Sequence, residues 1–315
     1  MDSIVFWSIF NAFILLLLGL DLFVFHRKEH EVKIKEALLW SGFWILLSLA
    51  FNVLIYYWKG PAPAFEFLTA YLIEKSLSVD NLFVFILIFN FFKVPFRYQH
   101  KILFWGILGA LVLRGVFILV GVALISKFHF IIYILGAFLV YTGIKMAFTK
   151  SDNELRPEQN PLIVWASQNL RFTKAAVGGK FFTRIDGKLY ATPLFLVLIM
   201  VESTDVVFAT DSIPAILAIS KDPFIVYTSN VFALLGLRAL YFALAGIMQL
   251  FHYLHYGLSL ILVFIGAKLL VSDFYQLDMR YALLIVGAIL AVSIVASLLF
   301  PKEKTELPPP PDVAP

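Results

Sequence analysis

The chain predicts an all-α, polytopic membrane protein of nine transmembrane helices. Three observations carry this. It is 315 residues long, 61% hydrophobic and only 15% charged, with a mean hydropathy of +0.89. Soluble domains are about 45–50% apolar and about 25% charged, so a soluble enzyme, a disordered chain and a collagen-like chain are all excluded. The apolar residues fall into runs long enough to cross a bilayer, for which a helix needs about 20 residues. Third, the basic residues collect in alternate connections.

The runs cover residues 3–25, 38–58, 65–92, 102–125, 129–149, 191–220, 224–250, 256–272 and 281–300. The first is expected to stay in place as a helix: Asp2 opens it, no basic start precedes it and no small-residue cleavage site follows. With nine crossings, 16 Lys and Arg fall in the connections on one side and 4 on the other. That bias puts the N-terminus outside and the C-terminus in the cytoplasm. It also accounts for the net charge of +4 without a nucleic-acid partner. The chain has no cysteine, which excludes disulfides, thiolate metal sites and Cys nucleophiles.

Residues 1–64 read as a two-helix N-terminal extension, 65–149 as repeat A, 150–190 as a cytoplasmic loop, 191–272 as repeat B, 273–300 as a last helix and 301–315 as a disordered tail. Within the loop, the apolar stretch after Asn160-Pro161 suggests a short interfacial helix. Residues 181–190 alternate around Asp186-Gly187, a hairpin signal. No Gly-rich phosphate motif is present, so ATP hydrolysis is not expected. A hydrolase reading finds neither a nucleophile motif nor an HExxH pattern, and the chain is not expected to be an enzyme.

Repeats A and B share three landmarks in order. Span three holds Glu74-Lys-Ser-Leu-Ser-Val-Asp80-Asn81 and span six holds Asp205-Val-Val-Phe-Ala-Thr-Asp211-Ser212, both acid-x5-Asp-(Asn/Ser). An intramembrane arginine follows one span later, Arg114 and Arg238. One span later again comes Gly-x-Lys, at Gly143-Ile-Lys145 and Gly266-Ala-Lys268. Three helices per unit is odd, so the second copy is inverted, a 3+3 arrangement common in transporters with a polar site near the midplane.

Asp21, Glu74, Asp80, Glu202, Asp205 and Asp211 fall inside spans. A charge at a helix centre costs about 2.5–3.5 kcal/mol on insertion scales, so these acids must pair, bind a cation or line water. The candidate ligand set is Glu74, Asp80, Asn81, Glu202, Asp205, Asp211 and Ser212, with Asp21 near a helix end as a further member. All six histidines sit in loops or at span ends. An oxygen-only set suits Mg2+, Ca2+ or Mn2+, and the residues alone leave that choice open. On a straight helix Asp211 points about 180° from Glu202. Pro214 cannot donate to the Thr210 carbonyl, so the helix is expected to unwind at Thr210–Ser212 and let Asp211 turn inward. The alternative is that Arg114, Arg238, Lys145 and Lys268 neutralise the acids in structural pairs that fix packing.

The two acidic segments, with Gly19-Leu-Asp21-Leu, Asp186-Gly187-Lys188, Ala191-Thr-Pro-Leu and Ser229-Asn230-Val-Phe-Ala-Leu-Leu-Gly-Leu-Arg238-Ala-Leu-Tyr, resemble the TerC family, and its bacterial Alx-type members most, over about residues 5–300. The resemblance implies a bacterial inner-membrane protein of the wider LysE-like transporter group that exports Mn2+. The partners expected are therefore a divalent metal ion as cargo, the lipid bilayer and a proton or other counter-ion, with no tightly bound cofactor. A membrane scaffold for a metal- or tellurite-stress complex stands as the alternative.

Overall fold

In the computed structural model, residues 2–20, 34–128, 130–148, 160–173, 178–244, 253–274 and 277–300 are described. Eleven helices and one hairpin occur among them, in the order α1 (Asp2–Leu20), α2 (Ile34–Lys59), α3 (Pro61–Phe91), α4 (Phe96–Lys127), α5 (Ile131–Phe148), α6 (Pro161–Asn169), β1 (Phe182–Ile185), β2 (Lys188–Ala191), α7 (Pro193–Leu217), α8 (Pro223–Leu234), α9 (Leu237–Leu244), α10 (Leu254–Leu270) and α11 (Met279–Leu299). The protein is an all-α polytopic membrane protein. A helix falls on each of the nine apolar runs, α8 and α9 both falling on the seventh. Six spans among the described residues are long and apolar enough to cross a bilayer. The 31-residue α3 falls outside that set because it carries Glu66, Glu74, Lys75 and Asp80. The tail expected to be disordered lies outside the described residues.

Burial separates the spans. Residues Pro223–Leu244 are 83% buried over their apolar window, whereas the other five are 22–33% buried. The α8–α9 span is thus enclosed by protein, and the others present broad apolar faces, as a bilayer solvent permits. The main packing pairs are α3 with α8, α4 with α7, and α5 with α10, while α2 lies on α3 and α9 and α11 on α10 and α3.

The α5–α10 seam is built from small residues. A Cβ on Gly136 would lie 3.0 Å from the Gly266 carbonyl oxygen, and one on Gly143 would lie 2.8 Å from the Ser259 carbonyl oxygen. Early residues of α5 meet late residues of α10, so the helices run antiparallel. Ser259 Oγ donates to the Gly143 carbonyl at 2.6 Å. Backbones in lipid approach this closely where side chains are absent.

The hairpin forms as the Asp-Gly signal requires. Thr183 pairs with Tyr190 and Ile185 with Lys188, and the two-residue turn has positive φ at both Asp186 (50°) and Gly187 (74°), the type I′ geometry whose twist matches its strands. Asn160 caps α6, its side chain accepting from Leu162 and Ile163 N–H.

One expectation is overturned. The helix of Asp211 does not unwind at Thr210–Ser212: α7 is continuous from Pro193 to Leu217 with Pro214 inside it. Pro214 sits in the last turn, so the single hydrogen bond it removes leaves few ladder bonds beyond it, and the Ala218 N–H still reaches the Pro214 carbonyl at 3.0 Å. The discontinuous helix is instead the seventh span. Leu235 turns extended (φ −60°, ψ 134°) and Gly236 adopts φ 75°, which separates α8 from α9.

Candidate functional site

The centre of the site is Arg114, 1% exposed on α4. Its Nη2 donates to Asp205 Oδ1 at 3.1 Å and its Nε to Asp205 Oδ2 at 3.3 Å. Its Nη1 donates to Asn230 Oδ1 at 3.3 Å and also meets Glu74 Oε1. One guanidinium therefore joins α3, α4, α7 and α8. The fork of a guanidinium matches the two oxygens of a carboxylate, which favours arginine over lysine for such a junction. Glu74 is fully buried and Asp205 is 4% exposed.

Several polar atoms of these helices lack a hydrogen-bond partner: Glu74 Oε2, Ser78 Oγ, Ser212 Oγ and Asn230 Nδ2. Buried polar groups are otherwise almost always satisfied. Glu202 is another such case. It sits one turn before Asp205 on α7, near enough to feel that charge. Its Oε2 is buried without a partner, and its carboxylate rests on the bare backbone of Gly109, so closely that a Cβ there would overlap it. Asp205 also borders a cavity of about 10 Å3 lined by Phe85, Gly106, Ala110, Val201 and Leu237. That is at the lower limit of room for one water.

The remaining expected residues are placed as follows. Asn81 is buried, 7% exposed. Asp211 faces α5, where Thr142 and Lys145 lie near enough to act on its carboxylate. Lys268 lies near Glu66 at the opposite end of α3 from Asp80, and Glu66 Oε2 accepts from Ser220 Oγ at 2.5 Å. Arg238, 5% exposed, lines a neighbouring cavity with His100, Trp40 and Trp44. Asp80 lies in α3, but its side chain, like the whole of Asp21, is outside the described residues. Among the described residues, no group of three His, Asp or Glu side chains is arranged to hold a metal ion.

Sequence reasoning turns Lys75 away from Glu74, to pair or to reach water, but names no partner for it, and it gives Asn230 no role. Lys75 follows Glu74 but points elsewhere: its Nζ donates to the carbonyls of Ala233 at 3.1 Å and Leu235 at 3.3 Å. Those carbonyls lie at the end of α8, where the helix break leaves acceptors without partners, and a cation is favoured at that negative end of the helix dipole. The readable signal was Leu235-Gly236 inside an otherwise apolar span, beside a lysine too central to reach water.

Comparison with known proteins fits this architecture. The Integral membrane protein TerC family matches residues 59–305. The Uncharacterized membrane protein STKORF319 of Myxococcus xanthus is 49% identical over 293 residues, 93% of this chain and 92% of that protein. The Putative membrane-bound redox modulator Alx of Escherichia coli K12 is 47% identical over 298 residues, 92% of each chain. An uncharacterized membrane protein of Rickettsia bellii is 43% identical over 93% of this chain and 97% of its own length. No solved structure matches. With the family match spanning most of its length and close relatives aligned nearly end to end, the chain belongs to the TerC family of integral membrane proteins.

Proposed function

We propose that the protein is a secondary transporter that exports a divalent cation, Mn2+ by its family resemblance, through a site between two inverted three-helix repeats. The single observation that carries this reading is the meeting of Glu74 from α3 and Asp205 from α7 on one buried guanidinium. These are the matching first acids of the two repeat motifs, so equivalent residues of both halves converge. Hard oxygen donors of this kind suit Mn2+, Mg2+ and Ca2+.

The packing supports a 3+3 repeat. Exchanging the halves turns the α3–α8 pair into α7–α4, and both pairs are among the most extensive. The same exchange maps Gly136 on Ser259 and Gly143 on Gly266, so the Gly136–Gly266 contact becomes the Ser259–Gly143 contact. In this reading nine helices cross a bacterial inner membrane with the N-terminus outside, and rocking of the halves exposes the acids alternately. A proton or other counter-ion supplies the driving force, and no catalysis is involved. The relatives named redox modulators suggest redox work, but this chain has no cysteine, so no thiol is available for it.

A second reading, a membrane scaffold for a stress-resistance complex, draws on the same guanidinium: both acids are paired and no described cluster of three ligands exists. Manganese efflux from loaded proteoliposomes separates the two. Wild type should export Mn2+, and Glu74→Gln and Asp205→Asn should not while remaining folded. Export that persists in both variants removes the site assignment. A wild type that moves no divalent cation removes the transporter.

A further inference from the structure

We propose that Arg114 is a tethered competitor of the cargo: its guanidinium holds the place between Glu74 and Asp205 that a divalent cation takes during transport, and it must be displaced for the cation to bind. The inference rests on the transporter reading and deepens it.

Four features lead there. First, the guanidinium is the only cation contacting the two carboxylates among the described residues, and it lies between them. Formally the three groups sum to one negative charge. A dication in place of the arginine brings the two carboxylates to neutrality, and its attraction to each is about twice that of a single charge at equal distance. Second, the site keeps acceptor capacity that Arg114 leaves unused. Glu74 is fully buried, yet its Oε2 has no hydrogen-bond partner, and neither has Ser78 Oγ one turn along the same face. A pair built only for packing would satisfy those atoms.

Third, Arg114 has somewhere to go. Helical side chains lean toward the N-terminus of their helix, which for Arg114 is toward Gly109. There Glu202 rests on the bare glycine with its Oε2 buried and unpartnered. An arginine leaving Glu74 can keep Asp205 and gain Glu202, so no buried charge is stranded by the exchange. Fourth, the adjoining cavity of about 10 Å3 admits at most one water. The arrangement is therefore a closed one in which the tethered cation stands in for the mobile one.

Competition makes a prediction opposite to that of a structural clamp. Removing a competitor raises the fraction of protein ready to bind and so tightens apparent affinity. Mn2+ binding to the purified full-length protein in lipid nanodiscs would be measured by titration calorimetry for wild type, Arg114→Gln and Arg114→Lys. The expected order is Gln tightest, Lys between and Arg weakest, with about a ten-fold or larger gain for Arg114→Gln. Efflux by Arg114→Gln should fall at the same time, because the cation then has no tethered competitor to displace it from the site. Equal or weaker binding by a folded Arg114→Gln overturns the proposal. If that variant does not fold, Arg114→Lys decides it in the same direction, and if neither folds while wild type binds, Arg114 is a packing residue and the proposal is wrong. A wild type that binds no Mn2+ overturns the transporter reading itself, and this inference with it.

Discussion

Lys75 of α3 reaches across to Leu235, the residue just past the end of α8, and donates to its carbonyl oxygen at 3.3 Å. The same ammonium bonds the Ala233 carbonyl at 3.1 Å. A buried lysine and a broken helix thus satisfy one another: the break supplies acceptors that a regular helix would have used, and the cation ends a search for donors that lipid cannot supply.

Lys75→Met removes both bonds and leaves two buried carbonyls without partners. We expect a loss of about 2–4 kcal/mol in stability, since a stranded buried group costs about 1–3 kcal/mol. The midpoint of thermal unfolding in detergent reads this, and Lys75→Arg should recover part of it. An unchanged midpoint for Lys75→Met would mean that water already serves these carbonyls.

Gly236→Ala meets two obstacles. Its φ of 75° lies in the left-handed region that disfavours a Cβ, and the new Cβ would lie 2.7 Å from Trp44 Cβ, Cγ and Cδ1. Destabilisation of about 2–3 kcal/mol is expected from strain and overpacking together. A Trp44→Ala, Gly236→Ala double variant should show coupling, because it relieves the contacts with Trp44 Cγ and Cδ1 and keeps the Cβ contact and the backbone strain. Strictly additive losses would show that α2 yields at no cost.

Gly143→Leu drives a side chain into the backbone of α10, where even a Cβ is 2.8 Å from the Ser259 carbonyl oxygen. The protein should fail to accumulate in membranes or lose its compact form on size-exclusion chromatography. Ser259→Ala, which only deletes the 2.6 Å bond to Gly143, should cost about 0.6–1.7 kcal/mol and leave the fold intact.

Pro214→Ala restores a donor for the Thr210 carbonyl in a helix that is already continuous. Stability should hold or rise by up to about 1 kcal/mol, and Mn2+ efflux should be retained. Lost efflux in a folded, more stable variant would show that Pro214 serves transport and not only packing.

Much of the fold was legible because the bilayer imposes a one-dimensional rule. Runs of about 20 apolar residues must become helices with their backbone bonds satisfied internally, and the Asp186-Gly187 turn required its hairpin for local reasons of φ. The site was legible only in part. Glu74 and Asp205 were singled out as charges too costly to be idle, and Arg114 as a repeat landmark and a candidate counter-charge. Asn230 was quoted only within a family motif, with no role assigned, because a lone asparagine in an apolar span has no distinguishing spacing. The helix break was placed in the wrong span because proline is a louder local signal than glycine. A proline three residues from a helix end disturbs little, whereas Gly236 backed by Trp44 and capped by Lys75 stabilises a full break.

By itself, then, the amino-acid order determined the class of protein, the positions of the helices, the hairpin and the short list of intramembrane charges, since each depends on local composition and on the cost of exposing polar groups to lipid. Tertiary structure alone decided which charges meet. Glu74 and Asp205 lie 131 positions apart and share Arg114, while Asp211, six positions after Asp205, faces Thr142 of another helix. The direction in which a side chain points is set by the rotation of each helix against its neighbours, and that follows from side-chain packing across the whole bundle.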